Sequence, residues 1–136
     1  MLHLNFTVPV RVLLVDDYQS WRQFASSTFQ QQPELHVVSE ACDGQEAIQK
    51  AQQLQPDLIL LDIGLPKLNG VEAARQIREL SPHSKIVFLS ENHSAEVVEA
   101  ALEKGASAYV VKSACTRELI PAVKAALSGR QWHLAA

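Results

Sequence analysis

Acidic residues follow two of the most apolar runs in the sequence, and their placement is the first sign of chemistry. Asp16 and Asp17 come directly after the run Val12–Val15. Asp62 comes directly after a second run, Leu58–Leu61. Short apolar runs of this length are typical of buried β-strands, so all three carboxylates stand where a strand should reach the surface. Either they form one site or their placement is a coincidence.

A cluster of this kind would need a cation. Three carboxylates within a few ångströms raise one another's pKa unless positive charge is present. Oxygen ligands suit Mg²⁺ or Mn²⁺ better than zinc. A metal held in this way commonly serves phosphoryl transfer, in which positioning and charge neutralisation supply most of the catalysis.

The elements that must position these acids follow a simple order. Five short apolar runs alternate with five segments of helical period, which predicts an α/β (βα)₅ unit with right-handed crossovers. The runs do not alternate with polar residues, so we expect a parallel sheet covered by helices on both faces. The apolar runs are Val12–Val15, Leu35–Val38, Leu58–Leu61, Ile86–Leu89 and Ala108–Val111.

The strand order decides whether the acids meet. In a flavodoxin-like three-layer sandwich of order 2-1-3-4-5, ligands bind between the carboxyl ends of the first and third strands. That order places Asp16 and Asp17 beside Asp62. Ser90 closes the fourth predicted strand with a hydroxyl, and Lys112 closes the fifth with a positive charge. We therefore expect each of the four central strands to deliver a polar side chain, or a pair, to one shallow pocket.

The predicted domain covers residues 10–128. Residues 1–9 fall outside the pattern and are expected to form an N-terminal arm, and residues 129–136 a loose C-terminal arm or the start of a linker. Gly105 and Gly129 follow helical segments, as helix-ending glycines do. Pro121 lies inside the fifth helical segment, where it either belongs to a first turn or imposes a kink.

The composition indicates an ordinary soluble globule. Of 136 residues, 47% are hydrophobic and 20% charged, and the formal net charge of −3 gives no sign of a nucleic-acid surface. No apolar run approaches the roughly 20 residues of a membrane helix, and the first residues lack a signal-peptide pattern. Cys42 and Cys115 lack zinc-site spacing and are expected to be reduced and mostly buried. A cytoplasmic protein without a membrane partner is therefore expected.

The spacing "LLVDD … LLDIGLPKLNG … FLS … AYVVKS" resembles the receiver domain of two-component response regulators over residues 10–128, and "LDIGLPKLNG" is its most specific part. The resemblance implies that Asp62 takes a phosphoryl group from a sensor histidine kinase. It also implies that Asp17, Asp62 and the backbone carbonyl of Gly64 bind Mg²⁺ directly, while Asp16 acts through water.

The same resemblance implies a switch. Ser90 would hydrogen-bond the phosphoryl group and Lys112 would pair with it. Tyr109 matches the aromatic residue that turns inward when the serine is drawn to the phosphoryl group, which changes the surface of the fourth helix, fifth strand and fifth helix. Homodimerisation on phosphorylation is a further expectation.

Several positions depart from the family pattern. Ser113 follows Lys112 where many receivers have a cis proline, so either a non-proline cis bond is kept, at ~3–4 kcal/mol, or the loop is arranged differently. Gly64 and Asn92 occupy positions that tune hydrolysis of the acyl phosphate, and Gly64 offers no side chain to shield it. Glu91 replaces a small residue near the phosphoryl entrance, where its charge would hinder an anionic donor.

Each residue has an ordinary structural interpretation when taken singly. Asp16 is of a type that often caps helices, and Ser90 of a type frequent in turns. Lys112 would be an ordinary solvated lysine, and Tyr109 a core residue of a strand. Their coincidence at matching strand ends favours the functional interpretation.

The last residues of the sequence indicate what kind of activity the predicted receiver would control. The tail "ELIPAVKAALSGRQWHLAA" resembles receivers that precede a LuxR-like helix-turn-helix domain. We therefore expect a regulator that controls transcription through an output domain outside this sequence, and we expect the 136 residues themselves not to bind DNA. The alternative is a stand-alone receiver that relays phosphate or signals by protein contact.

Other classes fit the sequence less well. An aspartyl-phosphate phosphatase of the haloacid-dehalogenase type would need a second acid where Gly64 stands. A nucleotide or flavin protein would need GxGxxG or GxxxxGK[ST], and the glycines are never clustered. A degenerate receiver that works without phosphate remains open. The expected domain is thus not an enzyme, beyond catalysing its own phosphorylation and dephosphorylation.

Glu91→Ala is expected to speed phosphorylation by acetyl phosphate by a few-fold, because the change removes a negative charge from the path of an anionic donor. Initial rates from intact-mass measurements test this, with Glu91→Gln as the variant that removes charge alone. An unchanged or slower rate would contradict the expectation.

Overall fold

The computed structural model describes residues 9–91, 95–103, 105–129 and 132–133. Six parallel strands form one sheet in the order β2-β1-β3-β4-β5-β6. The first five confirm the predicted flavodoxin-like order 2-1-3-4-5. The strands are β1 (Val10–Val15), β2 (Leu35–Ala41), β3 (Leu58–Asp62), β4 (Lys85–Ser90), β5 (Ala108–Val111) and β6 (Trp132–His133).

Helices cover both faces of the sheet. On one face, Leu14 and Leu60 pack with Phe29 and Leu119, and on the other Leu61 packs with the remaining helices. These two apolar layers confirm the predicted three-layer sandwich. The helices within the described ranges are α1 (Gln19–Gln30), α2 (Gly44–Leu54), α3 (Gly70–Leu80), α4 (Ala95–Glu103) and α5 (Cys115–Leu127).

The strand register places the acids next to each other. Val15 of β1 pairs with Leu61 of β3, so the next residues, Asp16 and Asp62, emerge side by side. β4 ends at Ser90, one residue beyond the partner of Asp62. The carboxyl ends of parallel strands share one edge of a sheet, which is why these residues converge.

The expectation that every strand is covered on both faces is wrong for β2. Its side chains alternate between sheltered and exposed positions, and Val38 is 40% exposed. β2 is the last strand on its side of the sheet, at the margin of both helix layers, so its alternate side chains reach solvent.

The C-terminal arm is less separate than expected. Trp132 and His133 pair with Ala108 and Tyr109 as a short parallel strand, β6. An edge strand presents unpaired backbone N–H and C=O groups, and an added strand satisfies some of them. Part of residues 129–136 therefore belongs to the sheet.

The residues that end helices behave mostly as predicted. Gly105 and Gly129 adopt φ angles of 97° and 85°, each two positions after the last residue of α4 and α5. α5 begins at Cys115, so Pro121 lies in its interior and the first-turn alternative is wrong.

No cis peptide occurs in the described part of the chain. The loop after Lys112 is therefore arranged without the cis bond that many receivers have before a proline at this position.

Both cysteines are free thiols, but the expectation that both are mostly buried is wrong for one of them. Cys42 is exposed, whereas Cys115 is buried. Among the described helices, none has both the length and the apolar character needed to cross a membrane.

Gly70 permits the close approach that joins β3 to α3. A Cβ at Gly70 would lie 2.3 Å from the carbonyl oxygen of Asp62 and 2.7 Å from the Cα of Ile63. The Gly70 N–H donates to the Ile63 carbonyl at 2.8 Å. The start of α3 is thus fixed directly against the residue that carries the third acid.

Gly70→Ala is expected to lower the free energy of unfolding by about 2–3 kcal/mol, because the new methyl group meets backbone atoms that cannot move aside cheaply. Urea unfolding measures this. Gly64→Ala is the matched control, since its Cβ would lie 3.9 Å from the nearest atom, an oxygen of Asp62. Equal losses in the two variants would contradict the steric argument.

Candidate metal-binding acidic pocket

The three predicted acids form one cluster. Carboxylate oxygens of Asp16, Asp17 and Asp62 all lie within 4.8 Å of one another. Asp16 and Asp62 are buried, and Asp17 is exposed. The cluster thus has two sheltered carboxylates and one that faces solvent.

The backbone holds Asp16 in a fixed turn. Its Oδ1 accepts a hydrogen bond from the N–H of Tyr18 at 3.0 Å, and its carbonyl accepts one from Nη1 of Arg22 at 2.7 Å. Its own N–H donates to the carbonyl of Ala41. The N-cap of α1 is Tyr18, so Asp16 is not the helix cap that its type alone favours.

Asp62 is held at the end of β3 in an unfavourable environment for a negative charge. Its Oδ1 accepts a hydrogen bond from the Gly64 N–H at 3.1 Å. Its pKa is raised from 3.8 to about 6, first by burial and then by the charge of Asp16. Lys112 and the Gly64 amide oppose this rise, and Asp17 adds the smallest contribution. The predicted mutual repulsion of the acids is confirmed for this carboxyl.

Lys112 supplies the positive charge. Its Nζ lies 3.0 Å from Oδ2 of Asp16 and 3.7 Å from Oδ2 of Asp62, and its side chain is only 4% exposed. The residue opens a short 3₁₀ turn, Lys112–Ala114, directly after β5. The alternative of an ordinary solvated lysine is therefore wrong. The carboxylates that face this buried ammonium offset the cost of removing its charge from water.

Ser90 and Tyr109 are joined in the same region. Both are buried, one at the end of β4 and the other within β5. The pKa of Tyr109 is raised chiefly by burial, and a hydrogen bond with the Ser90 side chain opposes that rise. The tyrosine ring packs edge-on against Phe88, with centroids 6.5 Å apart. The two residues of the predicted switch are thus in contact, with the ring turned inward.

The donor set fits a hard divalent cation. Oδ2 of Asp16 is buried and, within the described part of the chain, its partner is the Lys112 ammonium rather than a hydrogen-bond donor of good geometry. Within the described residues, Lys112 pairs with Asp16 and Asp62 while Asp17 adds a third carboxylate to the cluster, so negative charge remains uncompensated. Oxygen ligands of this type suit Mg²⁺ or Mn²⁺. Direct binding by Asp17 and Asp62, water-mediated binding by Asp16 and a role for the Gly64 carbonyl stay predictions.

Of the positions predicted to tune the lifetime of the acyl phosphate, two lie within the described residues. Gly64 and Glu91 are exposed, and Asn92 lies outside the described residues. Their effect on hydrolysis stays a prediction.

Two aromatic residues near Lys112 were missed as part of the site. The ring centroids of Trp21 and Tyr18 lie 4.8 Å and 5.7 Å from its Nζ. Neither residue was predicted from the sequence to belong to the site. The feature that could have indicated Trp21 is its position in the first turn of the helix that follows the acidic pair.

Asp62→Asn is expected to raise the free energy of unfolding of the metal-free protein by about 1–3 kcal/mol near neutral pH. The raised pKa means that the folded state binds the Asp62 proton more tightly than the unfolded state does. The wild type therefore loses stability as the pH rises from about 4 to about 6, and asparagine removes this loss.

Urea unfolding in EDTA, at about pH 4.5 and about pH 7.5, measures the difference. Glu99→Gln, at an exposed position of α4, controls for net charge. A stabilisation by Asp62→Asn that is as large in acid as near neutrality would contradict the assigned cause.

Comparison with known proteins agrees with this geometry. A family model described as the response regulator receiver domain matches residues 12–124. The chain is 35% identical over 120 residues to the transcriptional regulatory protein DegU of Brevibacillus brevis, covering 88% of this chain and 51% of that protein. It is 36% identical over 121 residues to the nitrate/nitrite response regulator protein NarL of Escherichia coli K12, covering 89% and 56% respectively.

A solved structure gives the same result. The crystal structure of a two-component response regulator of the LuxR family from Aurantimonas sp. SI85-9A1 superposes with a TM-score of 0.86 at 34% identity, covering 91% of this chain and 89% of that one. The chain spans about half the length of the curated relatives it matches. From sequence and structure together, the chain belongs to the response regulator receiver domain family.

Proposed function

We propose that this domain accepts a phosphoryl group on Asp62 from a phosphohistidine of a sensor kinase. A P–N bond of the donor breaks, a P–O bond to the carboxylate forms, and the imidazole keeps the electron pair. The observation that carries the proposal is the buried Asp62 beside two further acids and the Lys112 ammonium. When bound, Mg²⁺ would neutralise charge on the carboxylates and on the phosphoryl oxygens.

Each acidic or basic residue of the pocket has a separate role in the proposed reaction. Asp62 must be deprotonated to act as a nucleophile, and its pKa of about 6 leaves it largely so at neutral pH. Lys112 already lies 3.7 Å from this carboxylate, so its ammonium is positioned to pair with a phosphoryl oxygen formed there. Asp17 and Asp62 would hold the metal ion directly, together with the Gly64 carbonyl, and Asp16 would act through water.

The switch is proposed to run through the hydroxyl groups of the pocket. Attraction of the Ser90 hydroxyl to the phosphoryl group would compete with its hydrogen bond to Tyr109. A change in that bond would alter how the ring of Tyr109 packs, and with it the surface of α4, β5 and α5. A homodimer formed through this changed surface is part of the proposal.

The output is proposed to be transcription control in the cytoplasm. Two relatives are named as a transcriptional regulatory protein and a nitrate/nitrite response regulator, and both are about twice as long as the matched region. A DNA-binding domain outside this sequence would carry that activity, and the domain itself would not bind DNA. Loss of the phosphoryl group by hydrolysis, assisted by the same pocket, would end the signal.

Incubation with acetyl phosphate and Mg²⁺ is expected to add one phosphoryl group to the wild type, as measured by intact mass. Asp62→Asn and excess EDTA should each abolish the addition, and Lys112→Ala should slow it by about 10²-fold. Asp57→Asn is the matched control. Asp57 lies just before the first residue of β3, at the end away from the pocket, and its Oδ2 accepts a hydrogen bond from the N–H of Arg11.

The outcomes are distinct. Addition that persists in Asp62→Asn would place the acceptor elsewhere and overturn the proposal. No addition to the wild type, together with no Mg²⁺ binding by calorimetry, would mean that the acids serve only the structure. No addition despite Mg²⁺ binding would be followed by a test with a phosphorylated histidine kinase, and failure there would also overturn the proposal.

A further inference from the structure

We propose that Trp21 is a positioning residue for the Lys112 ammonium, a proposal that rests on the phosphoryl-acceptor function. The indole centroid lies 4.8 Å from Nζ of Lys112. An aromatic face attracts a cation within about 6 Å, and the attraction grows when the cation is shielded from water. The Lys112 side chain is 4% exposed, so the shielded case applies.

The surroundings of Trp21 hold its ring in place. The ring of Phe24 meets the indole edge-on, with centroids 5.6 Å apart and planes at 82°. The next residue, Arg22, ties the start of α1 to the carbonyl of Asp16 and to the side chain of Glu40, each at 2.7 Å. The indole is therefore fixed relative to the end of β1, where the acidic pair stands.

The space around the ring explains why its size matters. Trp21 and Lys112 both line an open cleft of about 260 Å³ between α1 and the start of α5, together with Phe24, Cys115 and two polar residues. A smaller side chain in place of the indole would widen this cleft beside the ammonium and let more water reach it. Water would weaken the attraction between Lys112 and the charges of the pocket.

This arrangement bears directly on the proposed reaction. Lys112 lies 3.0 Å from Asp16 and 3.7 Å from Asp62, so its ammonium is within reach of both acids and nearer to the one that would not carry the phosphoryl group. Trp21 provides a partner that carries no full charge and does not hold the ammonium to either acid. Tyr18 contributes less, since its ring is farther away and the residue is 58% exposed.

The test is a double-mutant cycle on the rate of phosphorylation by acetyl phosphate. Trp21→Leu is expected to slow the reaction by about 3- to 10-fold when Lys112 is present, and by less than about 2-fold in the Lys112→Ala background. Trp21→Phe should recover most of the rate, because it keeps an aromatic face. Equal slowing in both backgrounds, or equal rates for Leu and Phe, would show a merely structural role and overturn the proposal.

A second measurement does not depend on phosphorylation. The sequence has two tryptophans, so Trp132→Phe leaves Trp21 as the only tryptophan. Its fluorescence maximum is expected to differ between Lys112 and Lys112→Ala, because the charge beside the indole is removed. If the wild type takes no phosphoryl group but this shift occurs, the proposed function fails while the contact stands. No shift would overturn the positioning role even if phosphorylation proceeds.

Discussion

The pocket depends on one electrostatic arrangement, in which the buried ammonium of Lys112 faces carboxylates from two neighbouring strands. Asp16 and Asp62 are brought side by side by the pairing of β1 with β3, and their repulsion is a cost of that pairing. Lys112 comes from the far side of β4, after β5, and lies against both acids. The ion pairs therefore join the carboxyl ends of strands that are not neighbours, and the sheet order makes this possible.

The positive charge of Lys112 compensates the negative charge of the acids only in part, and this partial compensation determines how the pocket can react and bind ions. The pKa of Asp62 remains raised despite the nearby ammonium, because burial and Asp16 outweigh Lys112. Full neutralisation would leave no reason to bind a divalent cation, whereas no compensation at all would favour a protonated, unreactive carboxyl. The pocket lies between these limits, with the solvent-facing Asp17 as the acid most accessible to an arriving ion.

The sequence predicted the sheet order and the convergence of the polar strand ends, because side chains at the carboxyl ends of parallel strands must share one edge. It did not predict the exposure of β2 or the pairing of β6, which depend on where the helix layers and the chain end come to lie. It also missed the aromatic rings beside Lys112. That contact joins residues about ninety positions apart, and it depends on how α1 crosses the sheet and on side-chain rotamers.

The pairing of β6 with β5 has a mechanical consequence. Because Tyr109 pairs with Phe88 on one side and with His133 on the other, its backbone is held by neighbours in both directions. A displacement of the strand itself would strain both ladders, whereas rotation of the ring would strain neither. The backbone of the sheet is therefore held firmly at the position where the proposed switch would need a side chain that can change its packing. A signal leaving the pocket would travel through side-chain packing on the faces of the sheet, with the strands acting as a rigid frame.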